Sequence, residues 1–232
     1  MPVREWDYQH DAIVCTVRTQ HPHQQTAWQR FTSQGPLALL PLISDDAVSK
    51  QVEGENTVQH HYCSVVWSQT RAETARCIAL DNNAFAAALG QAFEYKLGEI
   101  EQVSARFSFP LQQRHAIDYV RPGFALIADA AHAIHPLAGQ GINLGLADVQ
   151  ALSGFLLAAH QRGQNLGDVA VLSRYQRERK SDNLAMMAAV EGFKRLFEPV
   201  PMPLRWLRNA GMNFLDQQQA MKNQIIRYAM GL

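Results

Sequence analysis

Cysteine is scarce. Cys15, Cys63 and Cys77 are the three present in 232 residues, far apart and without a Cys-x-x-Cys pair. That excludes a disulfide framework or a thiolate zinc site as an organising device, and it fits a reducing cytosol. An excess of one charge is also lacking: 21 Lys+Arg stand against 21 Asp+Glu. With no overall basic surplus to neutralise phosphates, no nucleic-acid partner is expected. The apolar runs read as too short to span a bilayer, and no apolar h-region follows Met1–Asp7, so no signal peptide is expected. Internal repeats and low-complexity segments are missing too.

What is present is ordinary globular material, 47% hydrophobic and 18% charged, which argues for a substantial core and against a disordered chain. The charge is unevenly placed. From Val171 to Leu232 ten Lys+Arg face five Asp+Glu, a net +5, which leaves −5 for the rest. Such asymmetry suggests a partner surface at the C-terminal end.

The first part of the chain has β character. Ala12–Arg18 is β-branched and mostly apolar, Leu37–Leu42 follows a Gly35-Pro36 break, and His61–Trp67 is a third strand candidate. Short polar connections between them suggest an antiparallel sheet. Asp81–Tyr95 changes to helical spacing, with Phe85, Leu89, Ala92 and Phe93 on one side and Asp81 or Asn82 able to cap it. Val103–Phe109 alternates as a strand that Pro110 is expected to end. Phe124–Ala128 reads as a short buried strand of a parallel sheet.

After Gly141 helices are expected. The first carries a stripe of Ile142, Val149, Leu152, Leu156 and Ala159 and ends near Gly163. A second runs from about Asp168 through Phe197, broken by Pro199, Pro201 and Pro203, and a last helical region follows. The expected fold class is α+β (mixed α/β): an antiparallel sheet domain, an incomplete cofactor-binding domain and a C-terminal helical region. The expected boundaries are 1–112, 113–163 and 164–232.

The segment from Ala128 to Gly145 carries the chemistry. A strand ends and at once presents Asp129, a carboxylate able to accept two hydroxyl hydrogen bonds. Ala130 and Ala131 let a ligand approach the backbone, and Pro136 stiffens the loop. Gly139-Gln140-Gly141 then opens a helix whose free N–H groups attract negative charge. These glycines are not the dinucleotide fingerprint GxGxxG. They follow the strand by a long loop, and the third falls one position late, at Gly145.

The whole segment resembles the second FAD-binding motif of class A flavoprotein monooxygenases, GDAAHxxxPxxGQGxN. Asp129, Ala130, Ala131, His132, Pro136, Gly139, Gln140, Gly141 and Asn143 match, and Ala128 replaces the first glycine. Phe109–Leu111, Arg114-His115, Arg121–Gly123, Arg174-Tyr175 and the terminal Tyr228–Leu232 extend the resemblance toward the ubiquinone-biosynthesis hydroxylases.

The resemblance implies an FAD enzyme that uses NAD(P)H and O2 to hydroxylate a prenylated phenol or benzoquinol ring. Asp129 would hold the ribityl hydroxyls, with Ala130 beside them, and Pro136 would lie along the flavin ring. Gly139 and Gln140 would lead into the helix start at Gly141, Ile142 and Asn143, whose N–H groups would face the N1–C2=O edge. No catalytic side chain is implied, since the flavin carries the oxygen chemistry. Leu40, Leu42, Trp67 and Phe109 are candidate substrate-lining residues. The family's opening βαβ unit with GxGxxG has no counterpart in this sequence, so the chain resembles the C-terminal part of such an enzyme and is expected to be inactive alone.

Less specific readings stand beside these. His132 and His135 with Asp129 lack a third clear metal ligand and are expected to hydrogen-bond locally, so no metal is expected. Met186, Met187 and Phe193 are read as packing residues, Arg106 as solvated, and Arg174–Lys180 as a solvated helix face. Pro203–Arg208 interleaves Leu204, Trp206 and Leu207 with Arg205 and Arg208, as interfacial helices do and as ordinary packing helices also do. A peripheral location on anionic lipid and membership of a ubiquinone-biosynthesis protein complex are therefore expectations. Two other functions remain open: a non-catalytic prenylquinone-binding or assembly module, and a hydroxylase of a small soluble phenol.

Overall fold

The structure is a computed structural model that describes residues 1–42, 61–134, 141–197 and 202–230. His135, Pro136, Gly139, Gln140, Pro199 and Pro201 lie outside the described residues, as does the end of the Tyr228–Leu232 match. The chain divides into two compact units, one formed by Gln9–Leu111 and the other by Met1–Tyr8 with Gln112–Leu232.

The first unit is an antiparallel sheet with two helices on one face. Its strands are β1 (Val3–Thr19, entered from the other unit), β2 (Trp28–Thr32), β3 (Gly35–Pro41), β4 (Tyr62–Thr70) and β5 (Ile100–Val103). The order is β2-β3-β4-β1, and β5 lies on the other edge of β1. Residues paired across strands share a face, so the register sorts the side chains. Ile13, Trp67 and Leu37 fall together, as do Cys15, Val65 and Leu39. All six are buried, together with Phe85, Leu89 and Phe93 of the second helix.

That second helix is α2 (Asn82–Ala92), preceded by α1 (Arg71–Ala79). Asp81 caps α2, its carboxylate accepting from the Ala84 N–H at 2.8 Å. The helix stops short of the expected Tyr95, because Glu94 and Tyr95 both take left-handed backbone. The sequence pattern gave no α1, although Thr70-x-x-Glu73 is a capping-box spacing. The Thr70 hydroxyl accepts from the Glu73 N–H, and Arg76 pairs with Glu73 one turn along.

The expected strand 103–109 is interrupted. β5 ends at Val103, and β6 (Phe107–Ala116) runs straight through Pro110. Proline ends a strand only where its missing N–H is needed by a ladder. Here Phe107–Pro110 is an exposed stretch, so little is lost. Arg106 is also not simply solvated. Its guanidinium donates to the Cys77 carbonyl at 3.3 Å and lies 4.8 Å from the Phe85 ring centre.

The second unit packs helices over short strands. The opening part of β1 lies beside β6, with Tyr8 hydrogen-bonded to Gln113 and the Ile117 N–H donating to the Pro2 carbonyl at 2.9 Å. β7 (Val120–Arg121) and β8 (Phe124–Ala125) form a two-stranded antiparallel ribbon, and β9 (His132–Ala133) pairs with β6. The expected buried parallel strand 124–128 is thus a two-residue strand of an antiparallel pair, with Phe124 53% exposed. A short apolar run does not say whether a sheet or a helix covers it. Here Leu126 and Ile127 lean on helices.

Those helices are α3 (Gly141–Gln161) and α4 (Val169–Phe197), followed by α5 (Met202–Gln217) and α6 (Gln219–Met230). Pro203 falls in the first turn of α5 and begins a helix rather than breaking one. The buried side of α3 is Leu144, Gly145, Asp148 and Ala159, with Ala151, Leu152, Phe155 and Leu156 beside it. The expected stripe is therefore rotated: Ile142 is 77% exposed and Val149 is exposed as well. By length and composition α3 is also apolar enough to cross a membrane, which corrects the reading of the apolar runs as too short. Its carboxylate at Asp148 sits inside a protein hydrogen-bond network, as in a core helix.

Candidate functional site

Asp148 is the centre of the helical unit. Its side chain is fully buried, and each oxygen is engaged. Oδ2 accepts from His132 Nε2 at 2.6 Å and from the Ala128 N–H at 3.0 Å. Oδ1 accepts from Arg179 Nε at 2.9 Å and from Asn183 Nδ2 at 3.4 Å. Burial alone would raise this carboxyl. The hydrogen bonds from His132, Arg179 and Ala128 outweigh it and hold the group below the usual carboxylate range.

The network continues outward in both directions. Arg179 also reaches Asp182 at 2.9 Å and Asn183 Oδ1 at 3.1 Å. Asn183 donates to the Tyr119 hydroxyl at 3.3 Å, and that hydroxyl lies 3.1 Å from His115 Nε2. Desolvation pushes the Tyr119 phenol up to about 12, so it keeps its proton. Burial, with Lys180, His132 and Arg4 nearby, pushes His115 down, which leaves its Nε2 free to accept that proton's hydrogen bond. Tyr175 is buried too and donates to the Leu126 carbonyl at 2.7 Å.

These residues come from one face of α4. Leu172, Tyr175, Arg179, Asn183, Met187 and Val190 are all buried at three- and four-residue spacing. The expected solvated face from Arg174 to Lys180 is therefore only partly so. Arg174 and Arg177 are exposed, Arg179 is buried in the network, and Lys180 donates to the Ile117 carbonyl at 2.5 Å. Met187 is in the core, as expected. His132 was expected to hydrogen-bond locally. It joins the buried carboxylate sixteen residues on.

This network fixes the segment that carries the motif. Ala128–Ala130 form a single 3-10 turn. With its N–H held by Asp148, Ala128 takes φ +52, a left-handed conformation that glycine reaches freely and alanine does not. Gly145, one turn into α3, leaves room for the alanine methyl: a Cβ added there would come within 2.8 Å of the Ala128 Cβ. The turn is thus seated on the start of α3. Asp129 and Ala130 are exposed, and so are Ile142 and Asn143 in the first turn of the helix. A Cβ added at Gly141 would meet nothing within 4 Å. An outward carboxylate beside the first turn of a helix is an arrangement for a polyol joined to an electron-rich ring. The residues present therefore fit a flavin. Pro136, Gly139 and Gln140 belong to the same motif but lie outside the described residues.

The four substrate-lining candidates do not converge. Trp67 is a core residue whose ring is 6.0 Å from Phe85 on the helix-covered face. Leu40 pairs with Ser64 on the opposite face, beside Ala38 and Val66, and is exposed. Leu42 is half-buried just past β3, and Phe109 is exposed on β6. Period-2 alternation puts Leu40 and Trp67 on different sides, so they cannot line one pocket. Among the described residues no cluster of three His, Cys, Asp or Glu side chains is arranged to hold a metal. Cys15 and Cys63 are buried free thiols pushed up to about 11 by desolvation.

A family described as the FAD binding domain matches residues 9–190. The chain is 35% identical over 230 residues to 3-demethoxyubiquinol 3-hydroxylase of Escherichia coli, covering 99% of this chain and 54% of that protein. It is 34% identical to the human mitochondrial ubiquinone biosynthesis monooxygenase COQ6, covering 97% and 52%. The chain thus spans about half the length of the curated relatives it matches. The crystal structure of p-nitrophenol 4-monooxygenase PnpA from Pseudomonas putida superposes with a TM-score of 0.69 at 15% identity, over 97% of this chain and 52% of that one, a likeness of fold.

Two outcomes test the geometry. Asp148→Ala leaves Arg179 and His132 without their buried counter-charge and should cost about 3–5 kcal/mol in urea unfolding at pH 7. In the wild type the contribution of Asp148 is complete above the ordinary carboxyl pKa of about 3.9 and is lost as pH falls through its lower folded value. The variant should lack that component of acid destabilisation. Ala128→Gly removes the left-handed penalty and should raise stability by about 0.5–1 kcal/mol, net of the freedom glycine adds to the unfolded chain.

Proposed function

The chain belongs to the FAD-binding domain family, and we propose that it forms the ribityl- and ring-binding part of an FAD-dependent monooxygenase of ubiquinone biosynthesis. The substrate would be a prenylated phenol or benzoquinol ring. The observation that carries this reading is the Asp148-anchored turn, which leaves Asp129 outward beside the first turn of α3.

When bound, FAD reduced by NAD(P)H supplies the electrons and the oxygen activation for ring hydroxylation. The work of this chain is to bind and orient. Asp129 accepts hydrogen bonds from the ribityl hydroxyls, and the small side chain of Ala130 allows close approach. The N–H groups of Gly141, Ile142 and Asn143 hold negative charge at the pyrimidine edge of the ring. Pro136, Gly139 and Gln140 complete the loop. The face of the sheet opposite its helices, with Val14, Ala38, Leu40 and Val66, offers an apolar wall for the substrate. Trp67 has no part in it.

A membrane-surface partner suits a prenylated substrate. Met202, Trp206 and Phe214 are exposed along α5, with Trp206 at 72%, in the region that carries the +5 charge. An amphipathic helix with exposed aromatic and thioether groups in basic surroundings docks on anionic headgroups. The protein would then work peripherally at the inner face of the membrane, within reach of other ubiquinone-biosynthesis proteins.

The non-catalytic alternative is separated by one experiment. These 232 residues contain no GxGxxG to seat the pyrophosphate, so alone they should retain little FAD through gel filtration. Fused behind a βαβ segment that carries the motif, the protein should become yellow with one FAD per chain and oxidise NAD(P)H. Asp129→Ala in the fusion should weaken FAD binding at least ~10-fold through the lost hydroxyl hydrogen bonds. A colourless fusion would favour the binding module. Flotation with liposomes should recover the protein on vesicles containing anionic lipid and not on neutral ones. Equal recovery on both, or none, overturns the electrostatic docking.

A further inference from the structure

The outward side of α3 has the composition of a covered surface. Ile142, Leu146, Val149, Ser153 and Leu157 follow one another at three- and four-residue steps. They therefore form one stripe, about 22 Å long at the helical rise. Its four apolar members are exposed, Leu146 at 63% and Leu157 at 62%. Asp148 is the one Asp, Glu, Lys or Arg in the 21 residues of the helix, and it is buried. A helix face that meets water normally carries charge. In the same unit α4 does so, with Arg174, Arg177 and Glu178 exposed on its outer side.

Gly154 is a second, independent sign. It is exposed, lies inside the helix beside Ser153, and a Cβ added there would meet nothing within 4 Å. Glycine in a helix interior is destabilising relative to alanine, and no neighbour among the described residues requires it here. With Ser153 it leaves a low place beside the stripe, where another backbone can come close.

Charge and continuity select the occupant. Interfacial helices flank their apolar stripe with Lys and Arg, and α3 has neither, so a lipid surface does not suit it. Crossing a bilayer would take Asp148 out of the network that pairs it. A second copy would cover apolar surface but, having the same sequence, would bring no GxGxxG. The stripe starts at Ile142, in the helix turn assigned above to the flavin ring, so whatever covers it borders the cofactor. This chain spans 54% and 52% of the two hydroxylase relatives, and the pyrophosphate seat of the family is the part it lacks.

We infer that the outward face of α3 is the docking surface for a βαβ unit carrying GxGxxG, the half of the FAD site that seats the pyrophosphate. The inference rests on the flavin reading and adds the surface on which the two halves of that site meet. Leu146, Val149 and Leu157 pack into the apolar side of the unit, and Ser153 with Gly154 takes its closest approach.

Maleimide labelling tests it. The three native cysteines are buried, so a cysteine placed on the surface reports alone. In the 232-residue chain Leu146→Cys and Leu157→Cys should react as fast as Ala75→Cys, an exposed position on α1. In the fusion behind the βαβ segment both α3 cysteines should react at least tenfold more slowly, with Ala75→Cys unchanged. The readout needs no flavin. Protection in a colourless fusion supports the docking while the cofactor reading fails. Unprotected α3 cysteines in the fusion, yellow or colourless, overturn the docking. Protection already present in the 232-residue chain, with a dimeric mass, gives the face to a second copy and also overturns it. Leu146→Lys combined with Leu157→Lys should lower the unfolding temperature of the fusion and leave that of the 232-residue chain in place. The same shift in both, or in neither, counts against the proposal.

Discussion

A single carboxylate with no access to water holds the helical unit together. Asp148 could not stay ionised inside the protein without compensation, and it is compensated from four directions: His132 on β9, Arg179 and Asn183 on α4, and the Ala128 N–H. The partners belong to three pieces of local structure: β9, α4 and the turn at Ala128. The charge therefore works as a registration point, and none of these pieces can slide without leaving it unpaired. The apolar contacts of Leu172, Tyr175, Phe155 and Leu156 supply non-directional attraction around it. Direction comes from the hydrogen bonds.

The same carboxylate shapes the ligand-facing surface. By capturing the Ala128 N–H it imposes a backbone turn that an alanine adopts at a cost, and Gly145 makes room for the extra methyl. The reward is local: the next residue, Asp129, is exposed next to the first turn of α3. Buried and exposed aspartates thus divide the labour. One fixes the backbone so that the other can meet a cofactor.

Much of this was legible beforehand, where one physical signal dominated. The antiparallel sheet followed from β-branched runs with short polar links, α2 from its spacing and the Asp81 cap, and α4 from its long periodic stretch. The motif from Asp129 to Asn143 was readable because its residues are contiguous. What escaped depended on distant partners. Asp148 was not singled out, because its partners Arg179 and Asn183 are more than thirty residues away, and Arg179 falls in the stretch read as a solvated helix face. The phase of α3 was misjudged because Ile142 and Val149 are as apolar as the residues that are buried, and composition cannot say which side meets a neighbour. Trp67 and Leu40 were grouped by chemistry, whereas the register of β3 against β4 separates them. Pro110 did not end the strand: β6 runs through it along an exposed stretch.

The seventeen-residue strand β1 has a kinetic consequence. Its first six residues belong with chain segments that begin at Gln112, while its remainder belongs to the unit closed by Leu111. A ribosome releases the chain from its amino end. The sheet unit can therefore complete itself as soon as Leu111 emerges, while Val3–Tyr8 waits, its edge unsatisfied, for partners more than a hundred positions downstream. The helical unit is the late-forming one, and Val3–Tyr8 must wait for it during synthesis.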